Sequence, residues 1–313
     1  MIATESFQVN KLLIIGDLLI DETYRVKASK LSPEAPVPVV MKKTRQPSRT
    51  LGGAALAACY AAKNNIPYIF LTACSQATYN SIKEKINIIP LKVEEDIIKT
   101  RYIDDDSNYH LLRVDNDAIS LYNPFTTEES IQNFKELFIN TIKQNDIGMV
   151  VILDYCKGLL TNSNLNQFLI DQSHKTNLKV YVDTRAKDIQ SFKNANFIKL
   201  NLKELDNAYK TLNVSNEQRL IDNLSCDTLI VTKGKDGAEL YRKDKDYKIK
   251  YIPELSSYKG TPDVTGCGDV FDVTFCDKWN TNREHYLKIL THAVNKATEF
   301  AYELIEERIQ CLQ

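Results

Sequence analysis

The chain has 313 residues, 43% of them hydrophobic, and is long enough to bury the core of one large domain or two modest ones. Its 40 basic and 41 acidic residues leave a net charge of -1, which argues against nucleic-acid and membrane-surface partners and favours a small-molecule substrate.

The first apolar stretch, after Lys11, is too short for a signal peptide, and no run reaches the roughly 20 apolar residues of a membrane span. Seven scattered cysteines without C-x-x-C spacing argue against a zinc site and a disulfide framework, so we expect a cytoplasmic protein.

Short apolar runs recur along the chain and predict strands that are buried on both faces, because their apolar residues are continuous rather than alternating. Amphipathic segments lie between them. In 126–145, Thr126 or Thr127 is the expected N-cap of a helix, with Glu128 and Glu129 in its first turn. This alternation predicts an α/β fold, a parallel sheet covered by helices, in a single domain over 1–313. The predicted strands are 11–17, 68–73, 149–154, 179–183, 197–201 and 228–234.

Several of these strands end in a polar residue or a glycine. Ligands bind at the carboxyl ends of strands in open parallel sheets, so the clustering predicts a site at that edge. The residues are Asp17, Asp154, Asp183, Asn201 and Gly234.

Two segments depart from this pattern. Residues 22–46 contain Pro33, Pro36 and Pro38, which exclude a central strand because proline removes ladder donors. Residues 99–117 predict a hairpin with its turn at "DDDSN". Together they predict a small β layer, which would be a lid over the active site or, alternatively, an insertion or a dimer contact.

The segment "PDVTGCGDVF" (262–271) predicts a tight glycine turn that opens onto a helix, with Asp269 at its start. A helix N-terminus exposes unpaired N–H groups and the positive end of its dipole, so it attracts an anion such as phosphate. A carboxylate at this position could equally be a simple helix cap.

Seven segments together resemble the ribokinase-like (PfkB) sugar kinases in order and spacing. Within that superfamily, "SPEAPVPVV" and "DYCKG" are most similar to the heptose 7-phosphate kinases, which form the kinase half of a bifunctional heptose kinase/adenylyltransferase. The resemblance implies a mostly parallel sheet flanked by helices, with a small β-sheet lid. The segments are 16–40, 51–62, 153–160, 182–188, 199–206, 231–240 and 263–269.

The resemblance implies that Asp269 is the general base that accepts the proton of the sugar hydroxyl. Gly266, Cys267 and Gly268 would present backbone N–H groups to the transferring phosphoryl group, which chemistry of this kind requires. Cys267 is expected to act through its N–H and not as a nucleophile.

The resemblance also implies the sugar-binding residues. Asp21 would bind sugar hydroxyls, while Gly52 and Gly53 would let the backbone approach the sugar or, alternatively, only form a turn and a helix start. Cationic side chains would hold a phosphate already on the substrate, although the two lid arginines could equally lie on a solvated face. These cations are Lys157, Arg101 and Arg113.

The resemblance implies that the nucleotide is ATP, bound with Mg²⁺, and it allows a monovalent cation as a further cofactor. Asn201 and Glu204 match an N-x-x-E pattern that organises Mg²⁺ and phosphates through water, so Glu204 would contact the metal ion through a water molecule. The remaining nucleotide contacts would come from Thr232, Gly234, Gly237 and Asn295.

The sequence also departs from the family. Leu56 stands where members usually carry Asn, residues 73–80 replace a G-x-D segment, and "KATEFAYELIEER" (296–308) is bulkier than usual. Besides a heptose 7-phosphate kinase, the sequence therefore allows a PfkB kinase for an unphosphorylated sugar or nucleoside, or an idle kinase fold that acts as a binding subunit. We expect a kinase without a second catalytic domain, forming a homodimer through the lid.

Overall fold

The computed structural model describes residues 10–116, 124–125, 127–185, 187–245, 248–281 and 285–303. Within them, fourteen strands are β1 (Lys11–Gly16), β2 (Leu18–Leu31), β3 (Pro38–Lys42), β4 (Ser48–Gly53), β5 (Tyr68–Ser75), β6 (Ile88–Val93), β7 (Ile97–Asp104), β8 (His110–Asp115), β9 (Ile147–Asp154), β10 (Lys179–Thr184), β11 (Phe197–Asn201), β12 (Thr228–Thr232), β13 (Ala238–Arg242) and β14 (Lys248–Tyr251). The helices in the same ranges are α1 (Ala54–Lys63), α2 (Gln76–Ile82), α3 (Glu128–Gln144), α4 (Ser163–Lys175), α5 (Leu202–Leu212), α6 (Glu217–Leu224), α7 (Cys267–Thr281) and α8 (Tyr286–Tyr302).

The main sheet has nine strands in the described ranges, in the order β14-β13-β12-β11-β10-β9-β1-β5-β6. The seven strands from β12 to β6 are parallel, whereas β13 and β14 add an antiparallel edge. The predicted α/β fold with a mostly parallel sheet is therefore confirmed.

Helices cover both faces of this sheet, because successive residues of a strand point to opposite sides. Leu12 and Ile14 of β1 pack in one core cluster together with residues of α1, α7 and α8. Leu13 and Ile15 pack in the second cluster, with residues of α3, α4, α5 and α6. The continuous apolar runs of the sequence thus fill two cores at once.

A second sheet of five strands, the lid sheet, has the order β3-β2-β7-β8, with β4 also paired to β2. The predicted hairpin is confirmed, since β7 and β8 pair antiparallel; residue 117 lies outside the described residues. The exclusion of a central strand from 22–46 is wrong for its first part. Residues 22–31 belong to β2, which is central in the lid sheet, while Pro33 and Pro36 lie in the following loop and Pro38 begins edge strand β3.

The predicted helix over 126–145 is α3, and Thr127 is its N-cap; Thr126 lies outside the described residues. The Thr127 side chain accepts from the Ser130 N–H, and Ser130 bonds back to complete a capping box. Phe134, Phe138 and Thr141 form its buried face.

Candidate active site

The glycine turn of 263–269 lies at the carboxyl-end edge of the main sheet and leads directly into α7. Gly266 has a φ of 83°, a conformation that favours glycine. A Cβ on Gly266 would lie only 2.3 Å from Cδ2 of Leu56. Leu56, the departure from the family pattern, thus packs against the turn.

The backbone N–H groups of this turn differ in whether they already have a hydrogen-bond acceptor. The Cys267 N–H donates to the Val264 carbonyl at 3.2 Å, and the N–H of Val270 bonds to the Gly266 carbonyl in the first helical bond. The predicted contact of the Cys267 N–H with a phosphoryl group stays a prediction, and it would compete with this internal bond. Among the described contacts, the Gly268 N–H has no backbone acceptor, as expected in a first helical turn.

Asp269 lies in the first turn of α7 and is only 5% exposed. Tyr155 Oη donates a hydrogen bond to its Oδ1 at 2.5 Å. Burial raises the pKa of Asp269 to about 7; the nearby Asp183 charge adds to the rise, while Tyr155, Lys199 and Arg185 oppose it. A carboxyl group with a pKa near 7 is suited to exchange a proton at neutral pH.

Tyr155 connects this carboxylate to two other parts of the molecule. Its ring packs against Leu19 and Ile97 at the base of the lid sheet. The Arg185 guanidinium lies over the same ring, 4.9 Å from its centre. Asp269 therefore lies where the main sheet meets the lid sheet.

A buried lysine that sequence reasoning missed lies beside the turn. Lys199 Nζ is 2.7 Å from Asp183 Oδ2 and 3.4 Å from Oδ1 of the fully buried Asp272. A Cβ on Gly268 would lie 3.3 Å from this ammonium. The only sequence signal was a lysine in the otherwise apolar strand "FIKLN".

An open cavity of about 390 Å³ begins at the turn and extends along the ends of β11 and β12. Thr232, Gly234 and Gly237 line it; their role in nucleotide binding stays a prediction. Gly234 has a φ of 58° and faces open space, while a Cβ on Gly237 would overlap the backbone of Tyr251. The other described walls include Asn201, Cys267, Gly268, Phe271, Val294 and Tyr302.

Asn295 is not among the described residues that line this cavity. Its Oδ1 accepts a hydrogen bond from Tyr251 Oη at 2.8 Å. An adenine contact for Asn295 stays a prediction.

Asn201 and Glu204 form a reciprocal capping box at the start of α5. Asn201 Oδ1 accepts from the Glu204 N–H at 3.0 Å, and Glu204 Oε2 accepts from the Asn201 N–H at 2.8 Å. Burial and the Asp183 charge raise the pKa of Glu204. Within the described residues, no group of three His, Cys, Asp or Glu side chains is arranged to hold a metal ion directly.

The predicted sugar residues come together at the root of the lid sheet. Leu19 on β2 pairs with Gly52 on β4, and a Cβ on Gly52 would lie 2.3 Å from Asp21 Oδ2, so glycine makes room for this carboxylate. Gly53, with a φ of 60°, is the N-cap residue of α1. Arg101 on β7 makes an ion pair of 2.5 Å with Asp21 Oδ1.

The remaining predicted cations, Arg113 and Lys157, both act electrostatically on Lys99, which pairs with Asp21 in the ladder. Arg113 pairs across the ladder with Arg101, but its guanidinium is bonded to both oxygens of Asp115 at 2.6 Å. Lys99, which sequence reasoning missed, lies two residues before Arg101 on the same strand face. Burial and the charge of Lys157 lower the pKa of Lys99.

No helix of the described residues is both long and apolar enough to cross a membrane. No family model matches the chain. Its sequence is 27% identical over 279 residues to the bifunctional protein HldE of Haemophilus influenzae, which covers 84% of this chain and 54% of that protein. The chain thus spans about half the length of the curated relatives it matches.

Solved structures share the fold. Phosphofructokinase-2 from Escherichia coli in complex with potassium has a TM-score of 0.71 and 15% identity, over 97% of this chain and 95% of that one. Arabidopsis thaliana ribokinase complexed with ribose and ATP has a TM-score of 0.63 and 13% identity, over 92% and 91%.

The fold is therefore ribokinase-like. The similarity to the bifunctional protein HldE over 84% of the chain agrees with the resemblance inferred from the motifs.

Proposed function

We propose that the chain transfers the γ-phosphoryl group of ATP to the anomeric hydroxyl of a sugar phosphate, with a heptose 7-phosphate as the preferred class. The observation that carries this proposal is the placement of Asp269. It is buried, has a pKa raised to about 7, and lies between the nucleotide-sized cavity and the charged root of the lid sheet.

In the proposed reaction, Asp269 accepts the proton of the sugar hydroxyl as its oxygen attacks the γ-phosphorus. The new P–O bond forms while the bond from the γ-phosphorus to the oxygen bridging the β-phosphate breaks, and ADP leaves with the electron pair. The amides of Gly266 and Gly268 and the dipole of α7 stabilise the charge on the transferring group.

Three features of the cavity support ATP as the bound nucleotide. Gly234 has no side chain and leaves open space in the cavity, and Gly268, which also lacks a side chain, allows a phosphate group to approach the backbone of the turn. Thr232 ends β12 on the same wall and supplies a hydroxyl group. These residues would hold the phosphates and the ribose side of the nucleotide.

The carboxylates of Glu204 and Asp183 offer the hard oxygen ligands that Mg²⁺ prefers. Both Glu204 oxygens already have partners, one in the capping box and one 3.8 Å from Arg185 Nη1, so a contact through water fits better than direct ligation. Mg²⁺ would neutralise phosphate charge when bound. A monovalent cation remains part of the proposal.

The cations around Asp21 support a phosphorylated substrate. A phosphate dianion needs several charge-assisted donors to offset its desolvation. Lys99 and Arg101 lie on β7, Arg113 lies opposite Arg101 on β8, and Lys157 and Arg113 act electrostatically on Lys99, whereas a neutral sugar would need hydroxyl partners instead. A PfkB kinase for an unphosphorylated sugar or nucleoside is the second candidate, favoured by the carboxylates that already bind Arg101 and Arg113.

A catalytically idle binding subunit is the third candidate, and Leu56 is the observation that favours it. Leu56 packs on the turn where the family usually places a polar sugar contact. The buried Asp269 with its Tyr155 hydrogen bond supports an active enzyme instead.

We also propose a cytoplasmic homodimer of single-domain subunits. The lid sheet exposes large apolar side chains that a second copy would cover, since exposed edges and patches of this kind invite association. Leu112 is 56% exposed, Val114 48% and Val40 36%.

An ADP-release assay across sugar phosphates, neutral sugars and nucleosides tests the proposed function. We expect release above the ATP-only background with a sugar phosphate that has a free anomeric hydroxyl. Preference for a neutral sugar or nucleoside would support the second candidate. No release with any acceptor, from protein that binds ATP, would support the third.

A further inference from the structure

Asp17 is a buried carboxylate that the proposed mechanism does not use. It lies between β1 and β2 and is 1% exposed. Its described hydrogen-bond partners are backbone N–H groups of another segment, and these oppose the effect of burial, which raises the pKa of Asp17 to about 6. Because these described partners are neutral, burying the carboxylate is costly, and the segment that it binds needs an explanation.

The bound segment is 155–159, the start of the loop between β9 and α4. Asp17 Oδ2 accepts from the Lys157 N–H at 3.1 Å, and Oδ1 accepts from the Leu159 N–H at 3.0 Å. Leu159 is itself fully buried in the second core cluster, which fixes the far end of the segment. One carboxylate thus holds two alternate amides of a segment that lies about 140 residues away in the chain.

The backbone of this segment requires such support. Cys156 has a φ of 54°, a left-handed conformation that is unfavourable for a residue with a Cβ, and Gly158 has a φ of 129°. Asp154 Oδ1 accepts from the Cys156 N–H at 2.8 Å, and its Oδ2 accepts from the Thr184 hydroxyl at 2.8 Å. Asp154 and Asp17 therefore hold the segment on the two sides of the strained residue.

The same segment carries two residues of the candidate site. Tyr155 donates to Asp269 at 2.5 Å, and Lys157 is one of the predicted cations. The Asp17 carbonyl also accepts from the Ala54 N–H at 3.0 Å, at the start of α1. Asp17 therefore binds the segment that carries the hydrogen bond to the proposed base.

We propose that Asp17 is a positioning residue, whose carboxylate fixes 155–159 so that Tyr155 contacts Asp269. This inference rests on the proposed function for the identity of the reaction. It explains why a carboxylate that takes no part in the proposed chemistry is buried beside the site. Its loss should affect the reaction through Tyr155 and not through the nucleotide cavity, whose described walls do not include 155–159.

Asp17→Asn keeps the side-chain volume but replaces one accepting oxygen by a donor that faces an N–H group. kcat/KM for the sugar phosphate should fall about tenfold or more, and the midpoint of its pH profile should move upward by about 0.5 to 1 unit, as for loss of the Tyr155 hydrogen bond. Removing the Asp17 charge alone would move the midpoint downward, because one carboxylate raises the pKa of another nearby. An upward shift therefore reports on Tyr155.

The double variant Asp17→Asn/Tyr155→Phe shows whether both changes act through the same hydrogen bond. If they do, its midpoint should equal that of Tyr155→Phe alone. Calorimetry with the ATP analogue AMP-PNP should give the wild-type affinity for Asp17→Asn. Additive shifts, an unchanged or lowered midpoint in Asp17→Asn, or a tenfold loss of AMP-PNP affinity would overturn the inference.

Asn196→Ala is the matched control for a loss of stability. Asn196 is 7% exposed and also accepts from an N–H group of another segment, that of Val180 at 2.9 Å, but it lies at the amino-end edge of the main sheet. Asn196→Ala should lower the melting temperature without moving the pH midpoint. If Asp17→Asn does not fold, Asp17→Glu keeps the charge, displaces both oxygens and should also raise the midpoint; an unchanged midpoint in that variant would overturn the inference.

Hydrogen exchange keeps this inference separate from the proposed function. In Asp17→Asn, the amides of 155–159 should exchange faster while those of β10 stay protected. Wild-type protein that transfers phosphate to no acceptor contradicts the proposed function, and faster exchange in Asp17→Asn then keeps the role of Asp17 in holding the segment. An active enzyme whose midpoint is indifferent to Asp17 contradicts only this inference. An inactive wild type with unchanged exchange in Asp17→Asn contradicts both.

Discussion

Tyr155 Oη donates a hydrogen bond of 2.5 Å to Asp269 Oδ1, and this bond joins the end of a central strand to the first turn of α7. Burial raises the pKa of Asp269 to about 7, and the Tyr155 bond is the largest opposing influence. Tyr155 therefore favours the ionised form of the carboxylate and partly offsets the effect of burial.

The pH dependence of the reaction follows from this relationship. A base works when deprotonated, and the pKa of Asp269 is raised, so kcat/KM for the sugar should be lost as pH falls through about 7. Removing the hydrogen bond in Tyr155→Phe should move the midpoint upward by about 0.5 to 1 unit, as expected for a bond worth about 0.5–1.5 kcal/mol. A pH–rate profile of both proteins checks this. A downward shift, or a wild-type profile flat across neutrality, would contradict the assignment.

The cations of the lid sheet should discriminate between phosphorylated and neutral substrates. Lys99→Met and Lys157→Met should each raise the KM for the sugar phosphate about tenfold or more, with the KM for ATP nearly unchanged, because a charge-assisted bond is worth about 1.5–3 kcal/mol. Arg101→Met and Arg113→Met should act in the same direction. Steady-state kinetics provide the measurement.

Lys27→Met is the matched control for these variants. Lys27 lies on the same sheet and pairs with Asp106, but it is about half exposed and should leave both KM values unchanged. If none of the four cation variants altered the sugar KM, the heptose-phosphate assignment would be abandoned and only the kinase kept.

The lid sheet should also hold the subunits together. Leu112→Glu/Val114→Glu places two charges in the exposed apolar face and should convert a dimer into a monomer at micromolar concentration. Sedimentation velocity measures this, with Leu287→Glu on α8, an equally exposed leucine, as the control. A wild-type monomer would remove the basis for the proposed interface.

The sequence anticipated the main sheet because its strands are continuous apolar runs, and 197–201 matches β11 residue for residue. It did not reveal the edge strands β13 and β14, whose mixed polarity in "AELYR" and "KIKY" gives no continuous apolar run. Strand β2 was misjudged because the prolines that follow it were attributed to the whole segment.

The candidate site was anticipated only where a local pattern marked it. Asp269 follows a glycine turn and Glu204 an N-cap, and both are visible along the chain. Lys199 and Tyr155 acquire their roles from partners on α7, more than 70 residues away in the chain, as the separation of 73 between Lys199 and Asp272 shows. Contacts of that range depend on the tertiary fold and leave no local signal.

The central claim is that Asp269 is the general base of a phosphoryl transfer, and Asp269→Asn tests it most directly. Asparagine keeps the volume and the ability to accept from Tyr155 but cannot take up the proton. We predict that turnover of the preferred sugar phosphate at saturating ATP falls by about 10² to 10⁴ while AMP-PNP affinity and melting temperature stay close to wild type. Near-normal turnover in a folded Asp269→Asn protein would contradict the account.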